Sequence, residues 1–88
     1  MTTKIITPQE VTLEMLVAGV ESNETPEHYP AKYKLVDGRI LYSVKYPGFA
    51  GWSAVEFVRF EEIAEWMNDD SGEGTIWTTT VEQETPHD

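Results

Sequence analysis

The sequence predicts an α+β domain in which a small antiparallel sheet of three to four strands has two helices packed on one face. Asp37-Gly38 separates two segments of alternating apolar and polar residues, which is typical of a β-hairpin. Two other segments repeat apolar residues at helical spacing, and Thr75–Val81 is rich in β-branched residues. The resulting order of helix, hairpin, strand, helix and strand favours an antiparallel sheet covered on one side.

The first helix is predicted to begin at Thr7. Pro8 suits the first helical position, and Glu10 stands where it completes a capping box with Thr7. The apolar residues that follow at helical spacing are Val11, Met15, Leu16, Ala18 and Val20. We therefore expect an amphipathic helix of about three turns that ends near Gly19. The polar segment 22–30 then reads as a loop.

The hairpin has the most specific local signal. A tight type I′ turn needs two positive-φ residues, and Asp-Gly supplies them. Counting outward from the turn predicts the pairs Val36–Arg39, Leu35–Ile40, Lys34–Leu41 and Tyr33–Tyr42. One face of the hairpin then holds the aromatic and aliphatic side chains, and the other holds most of the bases.

The segment after the hairpin has two interpretations. Residues 52–58 form either a third strand or the start of a long helix capped by Ser53, and the strand is favoured. After it we predict a helix over 59–68, a turn over 69–74, a strand over 75–81 and a flexible acidic tail over 82–88. The single domain thus covers residues 1–81.

Composition bounds the class of protein. A chain of 88 residues with three Trp, four Tyr and three Phe has enough apolar side chains for one modest core. It has no Cys, which excludes a disulfide scaffold and a cysteine nucleophile. The first residues lack the apolar stretch of a signal peptide, so we predict a cytoplasmic protein.

Charge is the most informative feature for function. The net charge is −10, and from Phe60 to Asp88 there are nine acids and no Lys or Arg. Glu61, Glu65 and Asp69 are spaced four apart, which places them on one stripe of a helix with no base to relieve their repulsion. We name as the acidic segment the six candidate partner-binding carboxylates Glu61, Glu62, Glu65, Asp69, Asp70 and Glu73. The alternative is a solvated surface that only maintains solubility.

Two aromatic residues of the loop after the hairpin are further partner-binding candidates. Phe49 and Trp52 lie among glycines, a context in which an aromatic side chain is either exposed as an anchor or folded onto the core. The core interpretation is preferred for Trp52, and both stay open for Phe49.

No pattern indicates catalysis, a cofactor or a metal. His28 and His87 stand alone, and no glycine-rich phosphate loop occurs. The segment starting at Asp69 is similar to a calcium loop, but Thr80 occupies the twelfth position, where a bidentate Glu is required. Direct nucleic-acid binding is disfavoured by the net charge, although the hairpin has the bases Lys32, Lys34, Arg39 and Lys45.

In size, acidity and lack of cysteine the chain resembles the small inhibitors of phages and mobile elements, including anti-CRISPR and DNA-mimic antirestriction proteins. This resemblance implies a non-enzymatic inhibitor or modulator whose partner is a protein with a basic, nucleic-acid-binding surface. The competing hypothesis is a generic interaction or assembly module, such as a homodimer, whose acidity serves only solubility.

Overall fold

The computed structural model describes residues 2–81, so the predicted tail over 82–88 lies outside the described residues. The strands are β1 (Thr2–Ile6), β2 (Val20–Ser22), β3 (Ala31–Val36), β4 (Arg39–Val44), β5 (Ser53–Val58) and β6 (Trp77–Val81). The helices are α1 (Leu13–Ala18) and α2 (Ile63–Asp69), each preceded by a short 3-10 turn, Pro8–Glu10 and Phe60–Glu62 respectively.

The predicted fold class is wrong in the size of the sheet and the weight of the helices. The six strands form one antiparallel sheet in the order β1-β6-β2-β3-β4-β5, and both helices are short. β1 and β2 were not predicted. Both depend on β6, which lies between them and pairs Thr80 with Thr3 and Thr79 with Val20. Such long-range pairing leaves little trace in strands as short as these, which have five and three residues.

The first helix is also shorter than predicted. The carboxylate of Glu10 accepts a hydrogen bond from the Thr7 N–H at 2.8 Å, as a capping box requires, but this turn ends within three residues. Val11 has extended backbone angles, and Thr12 then caps α1 by accepting a hydrogen bond from the Met15 N–H at 3.2 Å. The adjacent β-branched Val11 and Thr12 thus divide the predicted helix in two.

The hairpin is confirmed in its register. Val36 pairs with Arg39, and the pairing runs outward through Tyr33–Tyr42 to Ala31–Val44. Asp37 and Gly38 have φ values of 52° and 80°, the positive angles that the type I′ turn needs. The strand interpretation of residues 52–58 is also confirmed, since β5 pairs with β4.

The core lies between the sheet and the helices. Leu16 of α1 and Met67 of α2 are fully buried with Tyr33 of β3, and Trp77 of β6 joins the same cluster. Side chains alternate across a strand, so neighbouring residues point to the other side of the sheet. We call that side the open face; its residues include Glu21, Lys32, Lys34, Val36, Arg39, Leu41, Ser43 and Phe57.

Candidate functional site

The acidic segment is arranged along α2 and its two flanks. Glu61 and Glu62 lie in the 3-10 turn before the helix, and Glu65 and Asp69 lie within it. Asp70 is the C-cap, and Glu73 follows in the next turn. The structure therefore brings the six predicted carboxylates to one element and its ends, but their surroundings divide them into three groups.

The first group is Glu61 and Glu62. The predicted helical stripe without a base is wrong for Glu61, which lies in the 3-10 turn before α2 and, with Glu62, is neutralised in part by Arg59. The Arg59 Nε lies 3.1 Å from Glu62 Oε1 and 3.8 Å from Glu61 Oε1. The hydrogen bond to Glu62, followed by the charges of Glu62 and Glu61, raises the pKa of Arg59. Exposed ion pairs add little stability, but they lower the charge that Glu61 and Glu62 present to a partner.

The second group is Asp70 alone, whose carboxylate belongs to the fold. Its Oδ2 accepts hydrogen bonds from the hydroxyls of Tyr42 at 3.3 Å and Tyr33 at 3.5 Å. Burial, and then the negative charge of Asp70, raises the pKa of Tyr42 to about 12. Tyr33 has its pKa raised for the same two reasons. Asp70 therefore anchors two tyrosines of the hairpin to the end of α2.

The third group consists of exposed carboxylates that form no ion pair among the described residues. Its members are Glu65, Asp69 and Glu73. Neither α1 nor α2 contains a Lys or Arg. The 3-10 turn that ends at Glu10 packs against α2, so the helical side of the molecule is acidic beyond the segment itself.

The bases of the hairpin lie elsewhere. Lys32 forms an ion pair with Glu21 at 3.7 Å, and the Arg39 guanidinium lies 3.9 Å from the ring centre of Phe57. Both bases belong to the open face, whereas Tyr33 and Tyr42, which contact Asp70, point to the other side. The sheet thus separates the acidic segment from Lys32 and Arg39.

The two aromatic candidates occupy different places. Trp52 is half-buried but outside the core, with Lys32 Nζ 5.4 Å from its ring centre, so the core interpretation of Trp52 is wrong. Phe49 is 67% exposed. It ends a row of three aromatic rings that we call the aromatic ridge: Tyr29, Tyr46 and Phe49. Two shallow clefts flank this ridge, and no sequence signal had pointed to them.

Nothing in the described part of the chain indicates a metal centre or a membrane span. No group of three or more His, Cys, Asp or Glu side chains among residues 2–81 is placed to hold an ion. Neither α1 nor α2 is long or apolar enough to cross a bilayer. The chain matches no protein-family model, and searches of curated proteins and of solved structures find no match.

Proposed function

We propose that this protein is a non-enzymatic inhibitor or modulator that binds a basic, nucleic-acid-binding surface of another protein. The observation that supports this proposal most directly is the exposure of Glu65, Asp69 and Glu73 without an internal ion pair among the described residues. A cytoplasmic setting belongs to the proposal, since a chain without cysteine suits a reducing compartment.

The spacing of these carboxylates suits such a partner. Residues four apart on a helix are about 6 Å from each other, which is of the same order as the separation of phosphates along a nucleic-acid strand. Lys and Arg side chains placed to hold phosphates would therefore meet carboxylates at a similar interval. Long-range attraction between the two surfaces makes association fast and sensitive to salt.

The contacts of these carboxylates support a ranking of the candidates. Asp70 is committed to Tyr33 and Tyr42, and Glu61 and Glu62 share Arg59. Glu65 and Asp69 are therefore expected to contribute most to partner binding, with Glu73 extending the surface beyond the helix.

Affinity capture from the native host, with and without competing DNA or RNA, tests the proposal. We expect the intact protein to capture a nucleic-acid-handling protein that the competitor displaces. The Glu65→Gln/Asp69→Asn variant should lose this capture by more than about tenfold. The matched control Asp37→Asn/Glu21→Gln, which has the same net charge and changes acids of the hairpin turn and the open face, should retain it. Capture that neither competitor nor the α2 variant reduces would overturn the proposal.

The alternative of a homodimeric module is favoured by one observation. The sheet is open, with β1 and β5 at its edges, and residues 54–57 of β5 are all exposed. Unpaired edge strands are templates for pairing with a second chain. Sedimentation velocity over a range of protein concentrations decides this: a concentration-dependent dimer that resists salt supports the module, and a monomer throughout contradicts it.

A further inference from the structure

We infer that the aromatic ridge is a docking site for an extended, proline-rich peptide that carries a basic residue. This site is distinct from the carboxylates of α2 and would recognise a second kind of partner. The inference starts from how the ridge is built. The register of β3 and β4 continues past Ala31–Val44, because the Lys45 N–H donates to the Pro30 carbonyl at 3.0 Å.

One residue further out, Tyr29 and Tyr46 face each other across this extension of the hairpin. Their ring centres are 5.8 Å apart, with an interplanar angle of 72°. The Phe49 N–H donates to the Tyr46 carbonyl in a turn, which places the Phe49 ring 6.4 Å from that of Tyr46. Three rings from two chain segments therefore meet edge to face in a continuous row.

The three rings of the ridge are exposed and do not belong to the hydrophobic core. Tyr29, Tyr46 and Phe49 are 49%, 39% and 67% exposed. Contiguous exposed aromatic side chains mark interaction sites on small proteins. Because the rings touch each other, they leave no gap between them for a cation or a base. A ligand must lie across the ridge.

Two clefts of about 280 Å³ and 250 Å³ accompany the ridge, and both are lined by Tyr29 and Tyr46. This pair of rings is therefore the wall between them. Adjacent shallow clefts divided by aromatic rings fit a polyproline II helix, which has three residues per turn and projects proline rings at regular intervals. Its backbone carbonyls are free of internal hydrogen bonds, so tyrosine hydroxyls can donate to them.

The charged residues that line the clefts favour a basic peptide over a phosphate chain as the ligand. Glu24 lines the cleft beside Phe49, and Glu27 and Asp70 line the other, whereas Lys45 is the one Lys or Arg side chain among the described residues that line them. A phosphate chain would meet repulsion in the cleft lined by Glu27 and Asp70, whereas Glu24 and Lys45 balance each other in the cleft beside Phe49. A proline-rich peptide with an Arg or Lys would gain attraction over a short range.

The test uses the intact protein and two synthetic peptides of about ten residues. One is proline-rich with a terminal Arg, and the other is a Gly/Ser peptide with the same Arg. We expect the proline-rich peptide to shift the amide resonances of Tyr29, Tyr46 and Phe49 at concentrations below about 1 mM, which is the range of weak binding. No shift, or equal binding of the Gly/Ser peptide, would overturn the inference.

Three variants sharpen the result. Phe49→Ala should lower the affinity for the proline-rich peptide by about tenfold. Phe57 is an exposed aromatic residue of the open face, and Phe57→Ala should leave that affinity unchanged. A third peptide, proline-rich with Gln in place of the Arg, tests the charge: the intact protein should prefer the Arg-bearing peptide, and Glu24→Gln/Glu27→Gln should remove that preference. Equal losses for Phe49→Ala and Phe57→Ala would contradict a local site. A single-stranded oligonucleotide that shifts the same resonances would contradict the choice of a basic peptide as the ligand. Because no nucleic-acid-handling partner is present, these outcomes do not depend on the proposed function.

Discussion

Asp69 and Asp70 are adjacent in the chain and have the same charge, yet they have different roles. Successive residues of a helix point about 100° apart, so at the end of α2 one of the two must turn toward the sheet. Asp70 does so and accepts the hydroxyls of Tyr33 and Tyr42, while Asp69 stays exposed. Sequence alone could not separate them, because the two tyrosines that contact Asp70 are 37 and 28 residues away in the chain.

Replacing Asp70 should therefore cost stability that replacing Asp69 does not. Asp70→Ala leaves two tyrosine hydroxyls without their acceptor, and we expect a loss of about 1 kcal/mol in the free energy of unfolding. Asp69→Ala, the matched control, should change it by less than about 0.5 kcal/mol. Urea unfolding followed by tryptophan fluorescence measures both. Similar losses for the two variants would show that the tyrosine contacts contribute nothing.

The tyrosine pair also predicts how stability responds to alkaline pH. The pKa of Tyr42 is raised from 10.0 to about 12, so the folded state retains a proton that the unfolded chain has released in this interval. The free energy of unfolding should be constant just below pH 10 and should fall as the pH rises from about 10 to 12.

Urea unfolding at several pH values in that range checks this sign. Relative to its own stability at neutral pH, Tyr42→Phe should decline less steeply than the unmodified protein. Tyr29→Phe controls for the loss of an exposed tyrosine. A stability that rises above pH 10 would show that the pKa shift has the opposite sign.

At the scale of elements, sequence patterns predict correctly those elements whose pairing partners are close in the chain. The hairpin register followed from Asp37-Gly38 and the alternation on either side, because both strands and their turn are contiguous. The helix predicted from Thr7 failed because its capping box serves a single turn, after which Val20–Ser22 becomes a strand beside β6. No pattern within a segment of three residues predicts a partner almost 60 residues away.

The candidate sites also differ in whether their residues are contiguous in the sequence. The acidic segment is contiguous in sequence, so its charge could be predicted without knowing the fold. The aromatic ridge joins Tyr29 from before β3 with Tyr46 and Phe49 from after β4. Of these three residues sequence analysis selected Phe49 alone, because their proximity depends on the hairpin pairing continuing past its last strand residues.

At the scale of the whole molecule, charge is divided by the sheet. Among the described residues, the helical side has many exposed acids and two bases beside them, Lys4 and Arg59, with no base in either helix. The open face holds Lys32, Lys34 and Arg39, with Glu21 opposite Lys32. Opposite charges kept on opposite sides gain little from each other, since the Debye length near physiological salt is about 8 Å. Repulsion within the acidic side is therefore poorly compensated, and it should oppose folding.

Salt should consequently stabilise the free protein at neutral pH. Screening by about 0.2 M NaCl weakens the repulsion among these acids, and we expect the melting temperature to rise by about 2 °C, equivalent to a few tenths of a kcal/mol. Glu65→Gln/Asp69→Asn should respond less to salt than Asp37→Asn/Glu21→Gln, although the two variants have the same net charge. Differential scanning calorimetry measures all three proteins.

The comparison separates local crowding from net charge. Equal responses of the two variants would mean that total charge alone matters, and a melting temperature that salt lowers would mean that the acids already gain from attraction to bases within the fold. A smaller response of the α2 variant would instead show that Glu65 and Asp69 destabilise the free protein where they stand. A partner with a basic surface would relieve that repulsion, so the same two substitutions that reduce the salt response should also weaken partner capture.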